Sequence, residues 1–253
     1  MYEILSSDYD RFIDWPSRLK LELPFISAKL KDRRAQTVLD AAAGTGMHAI
    51  ALVREGYQAA GADISPGMVK QARLNAKTAG AAVRFEIAGF GELEHTFGSA
   101  GFDALLCLGN SLPHVLSHID LDKTLADFSA CLKPGGILLI QNRNFDAVVA
   151  NHTRWMEPQL HSEHGAEWIF QRFYDFEADG LLTFNMVILK RLGQGAWSQH
   201  VISSRMRPIL KVELTLSLKE AGFSSLKLFG EMSGAAFDAD KSPNLVVMAR
   251  KYV

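Results

Sequence analysis

Cysteine is nearly absent from this chain. Its 253 residues include two, Cys107 and Cys131, both in apolar surroundings and neither in a CxxC pair. That excludes a disulfide scaffold and a thiolate zinc site, and makes the reducing cytoplasm the expected location. An excess of either charge is also lacking: 27 basic and 28 acidic residues leave a net charge of −1. No overall field draws in nucleic acid or an anionic membrane, and neither is expected as a partner. The longest apolar runs fall far short of the ~20 residues of a membrane span. The opening Met1-Tyr-Glu-Ile-Leu-Ser-Ser-Asp8 has no basic stretch and no apolar core, so a secretory leader is not expected. What is plentiful is core-forming material. At 48% hydrophobic residues, the chain can build one large domain, or a domain with an insertion.

The spacing of that material predicts helix over residues 9–31, broken at Pro24, with Leu19, Leu23, Ile26 and Leu30 on one face. Strands and helices then alternate. Strands are expected over 37–40, 58–63, 83–88, 102–108 and 137–141. Helices are expected over 47–55, from Ser65-Pro66 to Gly80, and around Leu121, Leu125, Phe128 and Leu132. From about residue 151 the pattern becomes three consecutive strand-like runs, 167–176, 181–190 and 197–207. The first two are separated by Ala178-Asp179-Gly180, a hairpin signal. Lys211–Ala221 fits a helix, and two strands close the chain over 226–229 and 244–250. The expected fold is therefore α/β: a Rossmann-like, seven-stranded, mostly parallel sheet with helices on both faces, plus an antiparallel β insertion. Residues 1–150 form the helical cap and cofactor-binding core, 151–207 a substrate lid, and 208–253 the completion of the core. Ligands of such a sheet sit at the carboxyl ends of its strands.

One such end carries Val38-Leu-Asp40-Ala-Ala-Ala-Gly44-Thr-Gly46, a strand, an acidic residue and a two-glycine turn leading into a helix. Gly44 permits a tight turn, and Gly46 is read as bringing a ligand close to the backbone. The amides that open the helix favour a carboxylate or phosphate. Gly44-Thr-Gly46-Met-His-Ala49 also satisfies the dinucleotide fingerprint G-x-G-x-x-G/A, so an NAD-dependent oxidoreductase is an alternative. Asp40 separates the two. A carboxylate repels a pyrophosphate but suits an ammonium, directly or through the amides of the turn. S-adenosylmethionine carries an ammonium and a carboxylate at its methionine end.

The pattern D-x-x-x-G-x-G resembles the first motif of class I S-adenosylmethionine-dependent methyltransferases. Asp63, ending the second strand, suits ribose hydroxyls in either cofactor class. Further segments resemble the glycine N-methyltransferase-like group: Asp8-Tyr9-Asp10 with Trp15 and Arg18, Phe102 to His114 with its Leu108-Gly-Asn110-Ser-Leu-Pro-His114 loop, Leu132 to Ile140, and Arg143-Asn-Phe-Asp146. The resemblance fades after Asp146. It implies S-adenosylmethionine as cofactor, with Arg18 clamping the methionine carboxylate and Ala42 and Gly44 on the methionine backbone. Asp63 would hold the ribose, and Ile64 and Met68 would flank the adenine. Tyr9 would be a lid aromatic. Gly89-Phe90 stands where many relatives place an acidic residue that reads the adenine amino group; Glu86 and Glu92 are displaced from that position. Leu108, Asn110 and His114 would line the sulfonium and acceptor side.

Asn110 could equally satisfy a turn, and His114 could be a structural histidine or a base. Arg205 and Arg207 are candidates to grip a substrate carboxylate, or surface charges. His161, Glu163 and His164 lack metal-ligand spacing, and no metal is expected. The implied function is methylation of a small molecule, a small amine or amino acid, at nitrogen. Alternatives are a non-catalytic cofactor-binding protein, or a nucleic-acid or protein methyltransferase. The last lacks its Asp/Asn-Pro-Pro-aromatic loop and a basic stripe. The oligomeric state is left open.

Overall fold

The computed structural model describes residues 8–252. The opening segment read for a leader lies outside them, apart from Asp8. Two sheets organise the chain. Strands β1 (Thr37–Asp40), β2 (Gln58–Asp63), β3 (Arg84–Ile87), β4 (Phe102–Cys107), β5 (Leu132–Arg143), β10 (Phe223–Phe229) and β11 (Asn244–Lys251) form a seven-stranded sheet, ordered β10-β11-β5-β4-β1-β2-β3. All neighbours from β5 to β3 pair in parallel, and β11 runs antiparallel to β5 and β10. This is the expected α/β architecture. Alternate residues of the central strands go to opposite faces: Leu39 packs with helix α6 (His118–Cys131) and α8 (Lys211–Glu220). Val38 packs with α2 (Trp15–Asp32). Helices α3 (Met47–Arg54) and α4 (Pro66–Ala79) enclose Phe85 beside β3.

The first helical segment differs from its reading. It breaks after α1 (Tyr9–Phe12), not at Pro24. Asp14 caps α2 by accepting from the Ser17 amide at 3.2 Å, and Pro16 sits in the first turn, where its missing N–H is harmless. Pro24 is exposed, so the Lys20 carbonyl it strips of a partner lies on the solvent side. The buried face includes Phe25, Ile26 and Leu30, with Leu23 packed against it partly buried and a carboxylate, Glu22, buried beside it.

The second sheet is antiparallel, ordered β6-β7-β8-β9, with β6 (Gln159–Glu163), β7 (Ala166–Phe176), β8 (Leu182–Leu192) and β9 (Ser198–Met206). The spacing showed three of these strands. β6 is short and polar, and β5 starts at Leu132, ahead of the strand expected over 137–141. Helix α7 (Phe145–Ala150), begun by an Asn144 cap, was not read. A further helix, α5 (Leu93–Phe97), is held from α6: Asp127 accepts from the amides of Gly91, Leu93 and Glu94 at 2.8–3.0 Å. Among the described residues no helix is long and apolar enough to cross a membrane.

Candidate active site

Two cavities meet at the carboxyl ends of the parallel strands, and both are bordered by Tyr9 and Gly109. The outer is a cleft of about 870 Å³, within the usual range for a nucleoside-sized ligand. It brings together eight predicted cofactor residues: Tyr9, Ala42, Gly44, Asp63, Ile64, Met68, Gly89 and Phe90. Asp63 braces the turn. Its oxygens accept from the Gly44 and Ser65 amides, both at 2.9 Å. Ile64 is 72% exposed, an apolar side chain held over an open cleft as one face of an aromatic slot. Across the cleft, Phe90 stands edge-on to Phe128, with ring centroids 5.4 Å apart. The acidic residue missing after β3 comes from three positions on. Glu92 lines the cleft, and its carboxylate turns back to accept from the Gly89 amide at 2.8 Å. Glu86 is drawn off to Arg73 and Arg84. A hydrocarbon-walled slot, a carboxylate at a β2 end and a carboxylate by the slot fit an adenosine-bearing donor.

The other four predicted cofactor residues, Gly46, Asp40, Leu108 and Arg18, do not line the outer cleft. Gly46 does not line the cleft. A Cβ there would lie 2.5 Å from the Phe85 ring and 3.0 Å from the Ala72 Cβ, so the missing side chain makes room for the core rather than for a ligand. Asp40 is buried behind the cleft wall. Its carboxylate faces the Ala42 amide at 3.4 Å, and burial pushes its pKa up to about 6. Leu108 packs into the core beneath α2, and its carbonyl accepts the Ser111 hydroxyl at 2.9 Å. Arg18 stands on the inner cavity, between Gly109 and the Tyr9 phenol, with its guanidinium 5.2 Å over the Trp15 ring.

The cap is locked onto the glycine turn. Asp10 accepts from Trp15 Nε1 at 2.8 Å, Thr45 Oγ1 at 2.5 Å and Asn75 Nδ2 at 3.0 Å.

The inner cavity, about 270 Å³, lies between the ends of β4 and β5 and the inward face of the second sheet. Met156, Phe184, Met186 and Met206 give it an apolar wall, and Arg143 and Arg172 supply charge. The buried Nε atoms of both arginines and both side-chain polar atoms of Asn142 have no hydrogen-bond partner among the described residues. Burial, then the neighbouring Arg143 charge, lowers the Arg172 pKa. The carboxylate on this cavity, Glu22, is engaged by Arg18, His48 and Gln141. Among the described residues no carboxylate is ion-paired with either of these adjacent cations, an arrangement that suits a carboxylate ligand.

The sequence signal for Arg172 was parity. It shares a strand face with Trp168, Phe170 and Tyr174, and a charge on an aromatic face marks a site rather than packing.

The four predicted catalytic residues separate. Asn110 reaches the inner cavity with φ +66°, and its Oδ1 accepts from the Arg143 amide at 2.9 Å, so it fixes the turn as well as lining the site. His114 lies on the outer cleft. Nδ1 is 3.2 Å from Ser204 Oγ, the ring also bonds the Arg205 main chain, and burial lowers its pKa to about 4. Arg205 is on the cleft rim, ion-paired with Asp179. Arg207 lines neither cavity, because it is turned toward His118 and Glu213.

Residues 38–136 match the family model described as a methyltransferase domain. The chain is 34% identical to a glycine/sarcosine N-methyltransferase of Parasynechococcus marenigrum over 74% of its own length and 70% of that protein. It is 28% identical to one of Halorhodospira halochloris over 96% and 86% of the two chains. Its fold superposes on an S-adenosylmethionine-dependent methyltransferase from Clostridium acetobutylicum with a TM-score of 0.80, at 17% identity and covering 100% and 99% of the two chains.

Proposed function

This chain belongs to the class I S-adenosylmethionine-dependent methyltransferases, and we propose that it methylates the amino nitrogen of a small α-amino acid of the glycine and sarcosine type. The observation that carries the substrate is the pair Arg143 and Arg172 on the inner cavity, ion-paired with no carboxylate among the described residues. The relatives' printed substrates, glycine and sarcosine, support the same class.

When bound, S-adenosylmethionine supplies an electrophilic methyl group on a cationic sulfur, a good leaving group. Asp63 would hold its ribose, Ile64, Phe90 and Glu92 its adenine, and Arg18 its carboxylate. The chain's own work is alignment of the acceptor and exclusion of water, a contribution of up to ~7–11 kcal/mol in well-oriented reactions. Arg143 and Arg172 draw the acceptor carboxylate inward. Their positive field also disfavours a nearby ammonium, so the acceptor nitrogen is held in the neutral form that can attack. His114, with its pKa near 4 and its ring bonded to β9, is a positioning residue rather than a base. The inner face of the second sheet acts as the acceptor-selecting lid. Its methionine and phenylalanine side chains accept N-methyl groups. The cavity, at about 270 Å³, is nearly twice the ~150 Å³ that encloses benzene.

The test is release of S-adenosylhomocysteine with glycine, sarcosine, dimethylglycine and methylamine. At least one carboxylated amine should turn over, and methylamine should not. Equal rates with methylamine would remove the carboxylate clamp from the reading.

A second expectation concerns pH. Donor binding favours ionised Asp40, because the donor's methionine end carries an ammonium. With a folded pKa near 6, Asp40 is ionised above that pH and protonated below it. Affinity for S-adenosylhomocysteine, whose ammonium remains, should therefore weaken as the pH falls through about 6, with proton release on binding in that range. Asp40→Asn should flatten the profile. Calorimetry from pH 5 to 8 reads both, and a flat wild-type profile would contradict the assignment.

A further inference from the structure

Glu22 is 5% exposed on the buried face of α2, where a lone carboxylate would be costly. It has three partners. Oε2 accepts from Arg18 Nε at 3.1 Å and faces His48 Nε2 at 2.7 Å, while Oε1 accepts from Gln141 Nε2 at 3.2 Å. Each partner serves a different part of the site. His48 opens α3 directly after the glycine turn. The Gln141 side chain accepts from the Gly109 amide at 3.2 Å, and its carbonyl accepts from the Asn110 amide at 3.0 Å. Arg18 uses Nε on Glu22 and directs Nη1 and Nη2 at Gly109. A Cβ on that glycine would lie 3.8 Å from Nη1 and 3.4 Å from Nη2.

We infer that Glu22 is the positioning residue that sets the donor's carboxylate clamp, Arg18, in register with the acceptor loop Gly109–Asn110. The inference rests on the reading of Arg18 as that clamp. An arginine side chain has many rotamers. Tying Nε to a buried carboxylate removes most of them and leaves the terminal fork, which also meets the Tyr9 phenol, facing the site for a bidentate partner. The same carboxylate, through Gln141, holds the strand end that borders the inner cavity. One anion therefore fixes the two halves of a transfer geometry, in which small misplacements are costly.

The experiment compares S-adenosylhomocysteine with 5′-methylthioadenosine, which has the same adenosine but no carboxylate, by calorimetry on the folded full chain. Glu22→Gln should weaken S-adenosylhomocysteine at least tenfold and change methylthioadenosine by less than twofold. It should add no further loss in an Arg18→Ala background. Arg18 is partly exposed, so Arg18→Lys keeps the charge and spares the buried carboxylate. It breaks the Nε bond from the other side and should reproduce the selective loss even if Glu22→Gln folds poorly. Equal weakening of both ligands, or none, in both variants overturns the inference. If Arg18→Ala leaves S-adenosylhomocysteine binding intact, the clamp reading itself has failed. That result is distinct from a clamp that works without Glu22, in which Arg18→Ala alone weakens the ligand.

Discussion

Arg172→Ala is expected to lower kcat/KM for the amino-acid acceptor by about 10²–10³-fold while leaving affinity for S-adenosylhomocysteine within twofold. The magnitude follows from removing one partner of a buried, hydrogen-bonded charge pair, which costs ~3–5 kcal/mol, or from losing two charge-assisted hydrogen bonds at ~1.5–3 kcal/mol each. The separation follows from place: Arg172 is on the inner cavity and not on the cleft. Arg172→Lys should recover only part of the loss, because an ammonium cannot present a planar fork. Stability should move the other way. Arg172 is partly buried beside Arg143 with an unpartnered Nε, so alanine relieves a like-charge contact, and the melting temperature should hold or rise. A site that costs stability when empty is what a ligand-binding pair of cations looks like. Steady-state kinetics with a thermal melt decides the matter. Unchanged kcat/KM with the acceptor that turns over would mean that the carboxylate is bound elsewhere.

The residues gathered on the outer cleft were legible because they are close in sequence. Asp63, Ile64 and Met68 fall within one strand-to-helix junction, and Gly44 lies in the turn after β1. Local rules of strand end, turn and cap determine where such residues go. The charged lining of the inner cavity was not legible in the same way. Arg143 and Arg172 come from different sheets, and no short spacing links them. Arg205 and Arg207 were candidates because they are arginines on a strand near the right crossover. Their partners Asp179 and Glu213 are distant in sequence or across a turn, and claim them for structure. Pro24 misled for a related reason. Its cost depends on which side of the helix loses a hydrogen bond, and the exposed side loses little. Glu22 drew no reading, because hydrophobic spacing cannot see a carboxylate satisfied by His48, Arg18 and Gln141.

Gly46→Ala is expected to act on folding rather than on the ligand, and it separates the two meanings that a glycine fingerprint can have. Gly46 has φ +83°, a region that costs a residue with a Cβ ~1–2 kcal/mol. The new Cβ would lie 2.5 Å from the Phe85 ring, and overpacking of this kind adds ~1–3 kcal/mol. The total, about 2–5 kcal/mol, is a large share of a domain's ~5–15 kcal/mol. The denaturation midpoint should fall steeply. Phe85→Leu removes the ring atoms in conflict, so the double variant should be more stable than the sum of the two single losses predicts, with a coupling of ~1–3 kcal/mol. Gly44→Ala is the contrast. Its Cβ would meet only the Tyr9 ring, at 3.7 Å, on the cleft side. It should lose S-adenosylhomocysteine affinity with a smaller loss of stability. Denaturant melts and calorimetry on the folded fraction read both quantities. A Gly46→Ala protein of wild-type stability that no longer binds the donor would restore the ligand-approach meaning of that glycine and displace the packing one.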